Sequence, residues 1–339
     1  MIGCRSKYYR VSLKSREEKA IYDLVLSALE KRKTDVEIGA EHFAGTQCPL
    51  EDIIRFVMMD NPGLFYVNFR AYSIYTYSPS GRKKVVFSFL YEPDEIDRVE
   101  EKLCRMIRGI VAAGTGQGLS GYGMELFLHD YLAIHTRYEE QDKSYHKAHS
   151  SVGPLLYGRS VCEGYAMAFK LLCDAAGISC IVVFGDSVQP GESQGSSGHA
   201  WNIVKLAGKC YQVDVTWDSC RTDGTDVDHT YFNITDTDLA VNHAWERKLL
   251  PECHAEEDNY FVRSGTLLED VKELEKKLAA GLRRGKKQFC FRLRKVPREE
   301  QLLQAFRNAF TGAIPCRTDG LSYTYSFQEE HRVIRMSVG

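Results

Sequence analysis

A cysteine, a histidine and an aspartate occur within residues 160–218, and these three residue types are the parts of an activated sulfur nucleophile. Cys162 lies in RSVCEGYA, His199 in SGHAWNIVKL and Asp214 in YQVDVTWD. In such a site the thiolate attacks a carbonyl carbon, the imidazole moves the proton, and the carboxylate orients the imidazole. The stretch therefore predicts acyl chemistry at sulfur, provided that the fold brings the three side chains together.

The sequence from Ser160 to Gly177 predicts a helix that carries the cysteine at its start. Ser160 and Glu163 have the spacing of a capping box, so we expect Ser160 to be the N-cap and Cys162 to fall in the first turn. Gly177 is expected to end the helix. A thiol in the first turn faces unpaired backbone N–H groups at the positive end of the helix dipole, where a thiolate is favoured.

Two predicted strands carry the histidine and the aspartate. The segments HAWNIVKL and KCYQVDVTW flank Ala207-Gly208, which is typical of a hairpin turn. If the turn has an even number of residues, His199 and Asp214 lie on the same face, opposite or diagonal, whereas an odd turn or a bulge separates them. The even register places Trp217 on the other face. Both faces are largely apolar, which predicts a sheet covered on both sides.

At these residues the chain resembles the transglutaminase-like superfamily, the papain-related group whose nucleophile starts a helix and whose His and Asp lie on adjacent strands. The matching motifs are GRSVCEGYA, GHAWN and YQVDVTWD, and a later YFNIT…HAW segment resembles the bacterial branch of the group. The resemblance implies an α+β core in which the nucleophile helix packs on an antiparallel sheet. It also implies that Cys162 is the nucleophile, His199 the base and Asp214 the carboxylate that orients His199.

The resemblance leaves the second oxyanion donor open. In the animal enzymes an upstream Trp helps to hold the oxyanion, and in this chain no Trp precedes Trp201. Two polar residues before the nucleophile are candidates for this role, Gln117 in a Gly-rich loop and Tyr138 at the end of a predicted helix. We favour Tyr138, because a phenol offers a donor and loses little conformational entropy.

Length and charge limit the other classes of function. The chain has 339 residues, 44% of them hydrophobic, and a formal net charge of -2. Two or three domains are therefore expected, and the charge gives no reason to expect nucleic acid or a membrane as a partner. We predict an N-terminal α+β module at 1–95, the catalytic core at 96–254 and a C-terminal α+β module at 255–339. The order of strand, helix and strand pair recurs in the two flanking modules, which suggests a distant internal duplication.

The cysteines and the apolar runs indicate the compartment. The chain has eleven cysteines and no C-x-x-C pair, which favours reduced thiols over a disulfide framework or a zinc ribbon. No apolar run approaches ~20 residues, and no apolar segment follows the basic start. We therefore expect a cytoplasmic protein, although a chain that had lost its leader would have the same features. The sequence does not indicate an oligomeric state.

Other polar residues are interpreted as structural, and no metal or cofactor is expected. His129 and His135 lack the accompanying Cys, Asp or Glu spacing of a metal site, so we expect packing or surface roles. The acidic stretch 218–236 does not match a calcium-binding loop and is expected to be solvated. Nearer the nucleophile, His149 is a candidate to line the cleft, and the loop 186–197 is a candidate to gate it.

Two functions are consistent with these features. The first is a cysteine acyltransferase or hydrolase that attacks protein or peptide amides and forms a thioester at Cys162. Transfer to a Lys amine would give cross-linking, and transfer to water would give deamidation or proteolysis. The second is a binding or scaffold protein that keeps the fold without turnover. The complete set of three residues favours the enzyme, and the missing upstream Trp favours the scaffold.

Overall fold

The chain divides into two units, one that ends at His254 and one that begins at Ala255. A computed structural model describes residues 7–139, 146–188, 197–222, 226–313 and 322–339. The division after residue 254 coincides with the predicted start of the C-terminal module. The predicted division after residue 95 does not separate two units, because residues 7–95 belong to the same unit as the core.

The first unit is built from both helices and strands. Its helices are α1 (Tyr8–Ser12), α2 (Arg16–Glu30), α3 (Leu50–Asp60), α4 (Pro93–Gly116), α5 (Tyr122–His135), α6 (Cys162–Ala176), α7 (Val215–Ser219) and α8 (Asp236–Leu239). Its strands are β1 (Asp35–Ile38), β2 (Val67–Tyr77), β3 (Arg82–Phe89), β4 (Arg137–Tyr138), β5 (Arg159–Ser160), β6 (Ser179–Ser187), β7 (Ser197–Leu206), β8 (Lys209–Val213) and β9 (His243–Trp245). Short 3-10 turns cover Ala40–Phe43, His146–His149 and Arg247–Leu249, and a π-helical turn covers Gly153–Tyr157.

The core of the first unit is helix α6 packed on an antiparallel sheet. The strand order is β8-β7-β6-β9, and every neighbouring pair is antiparallel. Ala166 and Met167 of the helix lie in one apolar cluster with Val182 and Trp201 of the sheet. Asn202 of β7 donates a hydrogen bond of 3.0 Å to the Ala166 carbonyl, which ties the strand to the helix. The predicted α+β core, with the nucleophile helix on an antiparallel sheet, is confirmed.

The N-terminal segment joins the first unit through its own apolar and polar contacts. Tyr9 is buried in the same cluster as Trp201, and its hydroxyl donates to the Val182 carbonyl at 2.6 Å. The buried Asp60 accepts the backbone N–H groups of Tyr9 and Arg10 at 3.1 and 2.9 Å. Because these contacts reach the sheet beneath the nucleophile helix, the segment predicted as a separate module is instead part of the core unit.

The second unit repeats the connectivity of the N-terminal segment. Its elements are α9 (Tyr260–Arg263), β10 (Leu267–Leu268), α10 (Val271–Arg283), β11 (Gln288–Leu293), α11 (Glu299–Ala313), β12 (Tyr323–Gln328) and β13 (Val333–Val338). Both units contain the order helix, strand, helix, hairpin. The first unit has the three-stranded sheet β1-β3-β2, and the four-stranded sheet β10-β11-β13-β12 of the second unit contains the same arrangement in β11-β13-β12. The pairs in these two arrangements are antiparallel, and β10 adds to β11 in parallel. This shared topology supports the suggested duplication.

In the parts of the chain listed above, the helices do not reach the combination of length and apolar character that crossing a membrane requires.

Candidate active site

Cys162 is the first residue of helix α6, so the predicted placement in the first turn is confirmed. The predicted capping box is wrong, because the N-cap is Val161 and Ser160 belongs to strand β5. The Ser160 hydroxyl donates to the Ala148 carbonyl at 3.1 Å. The Glu163 carboxylate does not fold back on the N-cap, because it lies 2.8 Å from Nδ1 of His149.

Gly164 allows another part of the chain to lie against the start of this helix. A Cβ at this position would collide with the Ala148 carbonyl oxygen and the Ser160 hydroxyl oxygen. The glycine in the CEGYA motif is therefore required for steric reasons. Without a side chain at this position, residues 148–150 and strand β5 can pack against the first turn of the helix, which carries Cys162.

The hairpin formed by β7 and β8 has the register that aligns His199 with Asp214. Ala207 and Gly208 form a two-residue turn with φ of 47° and 87°, as in a type I′ turn. Asn202 pairs with Val213. If the same register is continued by one residue, Asp214 lies opposite Trp201 and diagonal to His199. The turn is even, and the expected proximity of His199 and Asp214 is present.

Strand β8 ends earlier than predicted, and this difference shapes the site. The prediction of a strand through Trp217 is wrong, because β8 stops at Val213 and α7 begins at Val215. Asp214 is the N-cap of α7, and its Oδ1 accepts the backbone N–H of Trp217 at 3.1 Å. The helix turns Trp217 back toward His199, and the two ring centroids lie 5.9 Å apart. The predicted placement of Trp217 on the opposite face is therefore also wrong.

His199 and Asp214 form a short, buried hydrogen bond. Nε2 of His199 lies 2.6 Å from Oδ2 of Asp214, and the two residues are 6% and 0% exposed. Burial by itself would lower the pKa of His199, but the charge and hydrogen bond of Asp214, together with Cys162, raise it above its usual value. The two imidazoles at Asp214 overcome the effect of burial on this carboxyl and hold its pKa below the usual range.

The thiol of Cys162 completes the group of three. It lies close enough to His199 to raise the pKa of that imidazole, and because Nε2 faces Asp214, Nδ1 is the nitrogen left for the sulfur. The structure thus brings together the three residues that the sequence singled out, in the order sulfur, imidazole, carboxylate. An imidazole in this position can take a proton from the thiol, and the carboxylate can stabilise the imidazolium that forms.

A second histidine, His243, binds the same carboxylate. Nε2 of His243 lies 3.1 Å from Oδ2 of Asp214, and its Nδ1 lies 2.6 Å from Oδ1 of Asn242. Burial lowers the pKa of His243, while both ring nitrogens face oxygens that accept hydrogen bonds. The motifs that point to Cys162, His199 and Asp214 do not assign a role to His243. The available signal was that residues 243–245 repeat the tripeptide HAW of residues 199–201.

Aromatic rings enclose the two imidazoles. The ring centroids of Trp217 and His243 lie 4.6 Å apart, those of Trp217 and Tyr231 5.1 Å, and those of Trp201 and His199 5.9 Å. Trp201 and Tyr231 are almost fully buried. These rings keep water from the bond between His199 and Asp214, and a lower local dielectric strengthens the attraction between opposite charges.

The N-terminal segment contributes a wall beside the nucleophile. A cavity of about 30 Å³ is lined by side chains from 58–70 and from 146–167. Its lining includes His149 and Glu163 but not Cys162, His199 or Asp214, so the placement of His149 in the catalytic cleft stays a prediction. Arg70 of the N-terminal segment lies 3.7 Å from the Glu163 carboxylate. Residues predicted to form a separate module therefore reach the position next to Cys162.

Tyr138 is closer to the nucleophile along the fold than Gln117 is. Tyr138 pairs with Ser160 across strands β4 and β5, two residues before Cys162. Gln117 caps the C-terminus of α4, where its side-chain amide donates to the Ala113 carbonyl at 3.3 Å. The role of Tyr138 as oxyanion donor stays a prediction. The loop proposed as a gate lies largely outside the described residues, at 189–196.

The acidic stretch after α7 is largely buried, so the prediction of a solvated loop is wrong. Asp218 is 0% exposed, Asp228 4% and His229 8%. Asp218 is held inside by the fully buried His129, whose Nε2 lies 3.1 Å from Oδ2 of Asp218. His135, by contrast, stacks on the Tyr131 ring near the surface. The sequence pattern missed this network because its members are far apart along the chain.

Two groups of described side chains have donor atoms close enough to hold a metal ion, namely His199, Asp214 and His243, and separately His129, Asp130 and His229. In each group both imidazoles hydrogen-bond to one shared carboxylate. Each imidazole nitrogen that faces the shared carboxylate can donate its N–H to it.

Comparison with known proteins identifies the class of domain. Residues 108–217 match the family model of the transglutaminase-like superfamily, and this range contains Cys162, His199 and Asp214. This part of the chain is therefore similar to transglutaminase-like domains. The expected bacterial branch stays a prediction.

Similarity to individual proteins is confined to part of the chain. It is 41% identical over 75 residues to kyphoscoliosis peptidase of Mus musculus, covering 21% of this chain and 11% of that protein. It is 43% identical over 67 residues to kyphoscoliosis peptidase of Homo sapiens, covering 18% and 10%. The chain thus spans about a tenth of the length of these curated relatives. The solved structure of a TGase aligns with a TM-score of 0.29 at 12% identity, covering 46% of this chain and 50% of that one.

Proposed function

We propose that this protein is a cysteine enzyme that acts on amide bonds of proteins or peptides through a thioester at Cys162. The observation that carries the proposal is the buried 2.6 Å bond between His199 and Asp214, with the Cys162 thiol on the other side of the imidazole. A cysteine that served only packing would not require an imidazole and a carboxylate aligned behind it.

The chemistry follows from the placement of each group. His199 takes the proton from the Cys162 thiol through Nδ1, and Asp214 stabilises the imidazolium. The sulfur then attacks the amide carbonyl, and the backbone N–H groups at the start of α6 stabilise the oxyanion. His199 returns the proton to the leaving amine, which leaves a thioester at Cys162. Attack by water or by an amine on this thioester releases the acyl group and restores the thiol.

Peptide hydrolysis is the outcome that we favour among the three open to such a thioester. The curated relatives that share more than 40% identity with part of the chain are named peptidases. Cross-linking and deamidation use the same acyl-enzyme and differ in the donor or the acceptor. Protein or peptide chains are therefore the proposed substrates in each case.

The first test concerns the nucleophile and does not require a known substrate. Iodoacetamide at mildly acidic pH should modify Cys162 before the other cysteines, because His199 can take the proton from its sulfur. Cys220 is the internal control, since it is more exposed than Cys162. If exposure alone decided reactivity, Cys220 would react first. That order, measured by peptide mass spectrometry, would contradict the proposal.

The second test distinguishes the reactions. The protein is incubated with a peptide library, and separately with a Gln-rich protein and a primary amine, and the products are identified by mass. Cleaved peptides indicate hydrolysis, a gain of the amine indicates transfer, and conversion of Gln to Glu indicates deamidation. The Cys162→Ser variant is the control in each arm. A protein with a reactive Cys162 and no product in any arm would be better described as a scaffold.

A further inference from the structure

Helix α7 links the catalytic carboxylate to a second buried carboxylate. Asp214 caps the N-terminus of the helix, and Asp218 lies one turn later, where its backbone N–H donates to the Asp214 carbonyl at 3.3 Å. Both residues are 0% exposed. A buried carboxylate is costly unless it is paired or hydrogen-bonded, so the contacts of Asp218 indicate what it does.

Tyr231 closes a ring between these two residues. The backbone N–H of Asp214 donates to the Tyr231 carbonyl at 3.1 Å. The backbone N–H of Tyr231 in turn donates to the Asp218 carboxylate, at 3.0 Å to Oδ1 and 3.3 Å to Oδ2. The position of the Asp214 backbone is therefore fixed from one side by its own helix and from the other by Tyr231, and the Asp218 carboxylate holds both.

The Asp218 carboxylate is itself fixed by His129 of helix α5. Nε2 of His129 lies 3.1 Å from Oδ2 of Asp218, and Nδ1 lies 3.0 Å from Oδ1 of Asp130. Asp130 also lies 2.8 Å from Nε2 of His229. Both nitrogens of the fully buried His129 thus face carboxylate oxygens, which accept only. An imidazolium that donates in both directions fits this arrangement.

The surroundings act in opposite directions on the two members of the pair, and the geometry above favours the charged one, because the Asp218 carboxylate accepts the Tyr231 N–H and faces His129. Burial would lower the pKa of His129, but its two carboxylates raise it to about 9. Burial and the nearby Asp228 raise the pKa of Asp218 to about 7, against the opposing effect of His129. Arg221 adds a positive charge near Asp218. A charged bridge between α5 and α7 is stronger and better directed than a neutral hydrogen bond.

We propose that Asp218 and His129 are positioning residues for the catalytic site, which hold Tyr231 and α7 so that Asp214 keeps its short bond to His199. This inference rests on the proposed function. Neither residue touches the thiol or the base, and their effect passes through the backbone of Asp214. The arrangement resembles the site itself. The buried pair of His129 and Asp218 positions Asp214, and Asp214 in turn orients His199.

The central experiment is Asp218→Asn. The oxygen of the Asn side chain can still accept the Tyr231 N–H, but it cannot serve His129 as a charged acceptor. We expect the rate of Cys162 labelling by iodoacetamide at mildly acidic pH to fall about 2- to 30-fold, the range of couplings transmitted through such networks. The rate constant for Cys162 labelling should fall and its dependence on pH should change. The labelling of Cys220 should stay the same.

Variants of His129 provide a graded readout that loss of folding would not produce. His129→Gln keeps a donor for Asp218 and should retain most of the reactivity, whereas His129→Phe removes it and should match Asp218→Asn. The double variant with His129→Phe and Asp218→Asn should be no slower than either single variant, since both break the same contact. Additive losses would overturn the proposal.

The matched control is Asp174→Asn, at the far end of helix α6. Asp174 is also buried and lies 3.0 Å from Nζ of the buried Lys170, so its loss should lower the melting temperature in a similar way. Its labelling profile at Cys162 should remain that of the wild type. If Asp174→Asn slows labelling as much as Asp218→Asn does, the effect is general destabilisation and the proposal fails.

A spectroscopic readout separates this inference from the proposed function. The proton shared between His199 and Asp214 gives a downfield NMR resonance whose position reports the length of that bond, whether or not Cys162 reacts. A wild-type protein in which Cys162 labels slowly would refute the proposed function. An unchanged resonance in Asp218→Asn, if the variant folds, or in His129→Phe would refute the positioning role.

Discussion

Replacing Asp214 with Asn should change the tautomer of His199 and leave the fold in place. Asn is as good an N-cap as Asp, so its Oδ1 can keep the contact with the Trp217 N–H that Asp214 makes at 3.1 Å. Its amide nitrogen then faces the two imidazoles in place of Oδ2. Because that nitrogen donates, Nε2 of His199 must accept, and the ring proton moves to Nδ1 on the side of the thiol. An imidazole in this form cannot take the Cys162 proton.

The size of the effect follows from the lost charge. An opposite charge at this range shifts a pKa by about 1–3 units, and one unit corresponds to about 1.36 kcal/mol. The His199 imidazolium should therefore lose about 1.4–4 kcal/mol of stabilisation, and its pKa should fall. Turnover should drop on the order of 10⁴-fold, as in triads where the same exchange inverts the tautomer. The rate of Cys162 labelling by iodoacetamide at mildly acidic pH should fall as well.

The stability of the protein should respond to pH with a definite sign. The pKa of Asp214 is lowered in the folded state, so its contribution is present above its unfolded value near ~3.9 and is lost as pH falls. The pKa of His199 is raised, so its contribution is complete below its unfolded value near ~6.5 and is lost as pH rises through the folded value. The pair therefore stabilises the protein most between about pH 4 and 6.5, and Asp214→Asn should flatten this dependence.

The assay combines labelling, turnover and unfolding across this pH range. Labelling of Cys162 is followed by mass spectrometry, turnover is measured on a peptide identified from the library, and the melting temperature is measured for wild type, Asp214→Asn and the control Asp174→Asn. A wild-type labelling profile in Asp214→Asn would remove the carboxylate from the mechanism. Equal flattening of the stability profile in the control would show that any buried Asp has this effect.

Three further predictions concern the parts around the triad. Gly164→Ala should slow turnover and lower the free energy of unfolding by about 1–3 kcal/mol, because a Cβ there collides with backbone and forces the start of α6 to move. The control is Gly109→Ala, at a helical position with open space, which should raise the free energy of unfolding by about 0.4–1 kcal/mol. Tyr138→Phe should lower turnover by roughly ten- to a thousandfold and leave Cys162 labelling unchanged, and equal turnover would exclude it as oxyanion donor. Ala207→Asn should raise the free energy of unfolding by about 0.5–1 kcal/mol in urea titrations, because Asn tolerates the positive φ of 47° better than Ala does; a less stable variant would contradict the turn assignment.

Local patterns carried the prediction of the core. The helix that begins at Cys162, the hairpin turn at Ala207 and the pairing of His199 with Asp214 all depend on residues close along the chain, where periodicity and turn chemistry are informative. The spacing of Ser160 and Glu163 predicts a cap, but spacing alone does not show that Ser160 belongs to strand β5. The N-terminal boundary failed for a related reason, since the contact between Tyr9 and the sheet joins residues more than 170 positions apart.

Helix α7 shows why the rest of the site could not be predicted from spacing. Read as a strand, YQVDVTWD alternates correctly, and nothing in the alternation distinguishes an Asp that pairs across strands from one that caps a helix. The capping role is seen only in the structure, where Asp214 accepts the Trp217 N–H and Asp218 follows one turn later, with both carboxylates buried. His129 pairs with Asp218 and His243 pairs with Asp214, and these hydrogen bonds offset the cost of burying the two carboxylates. The sequence lacks that information because these partners come from α5 and β9, on either side of the core. The surroundings of Asp214 therefore depend on two histidines that the triad pattern does not contain, His243 directly and His129 through Asp218.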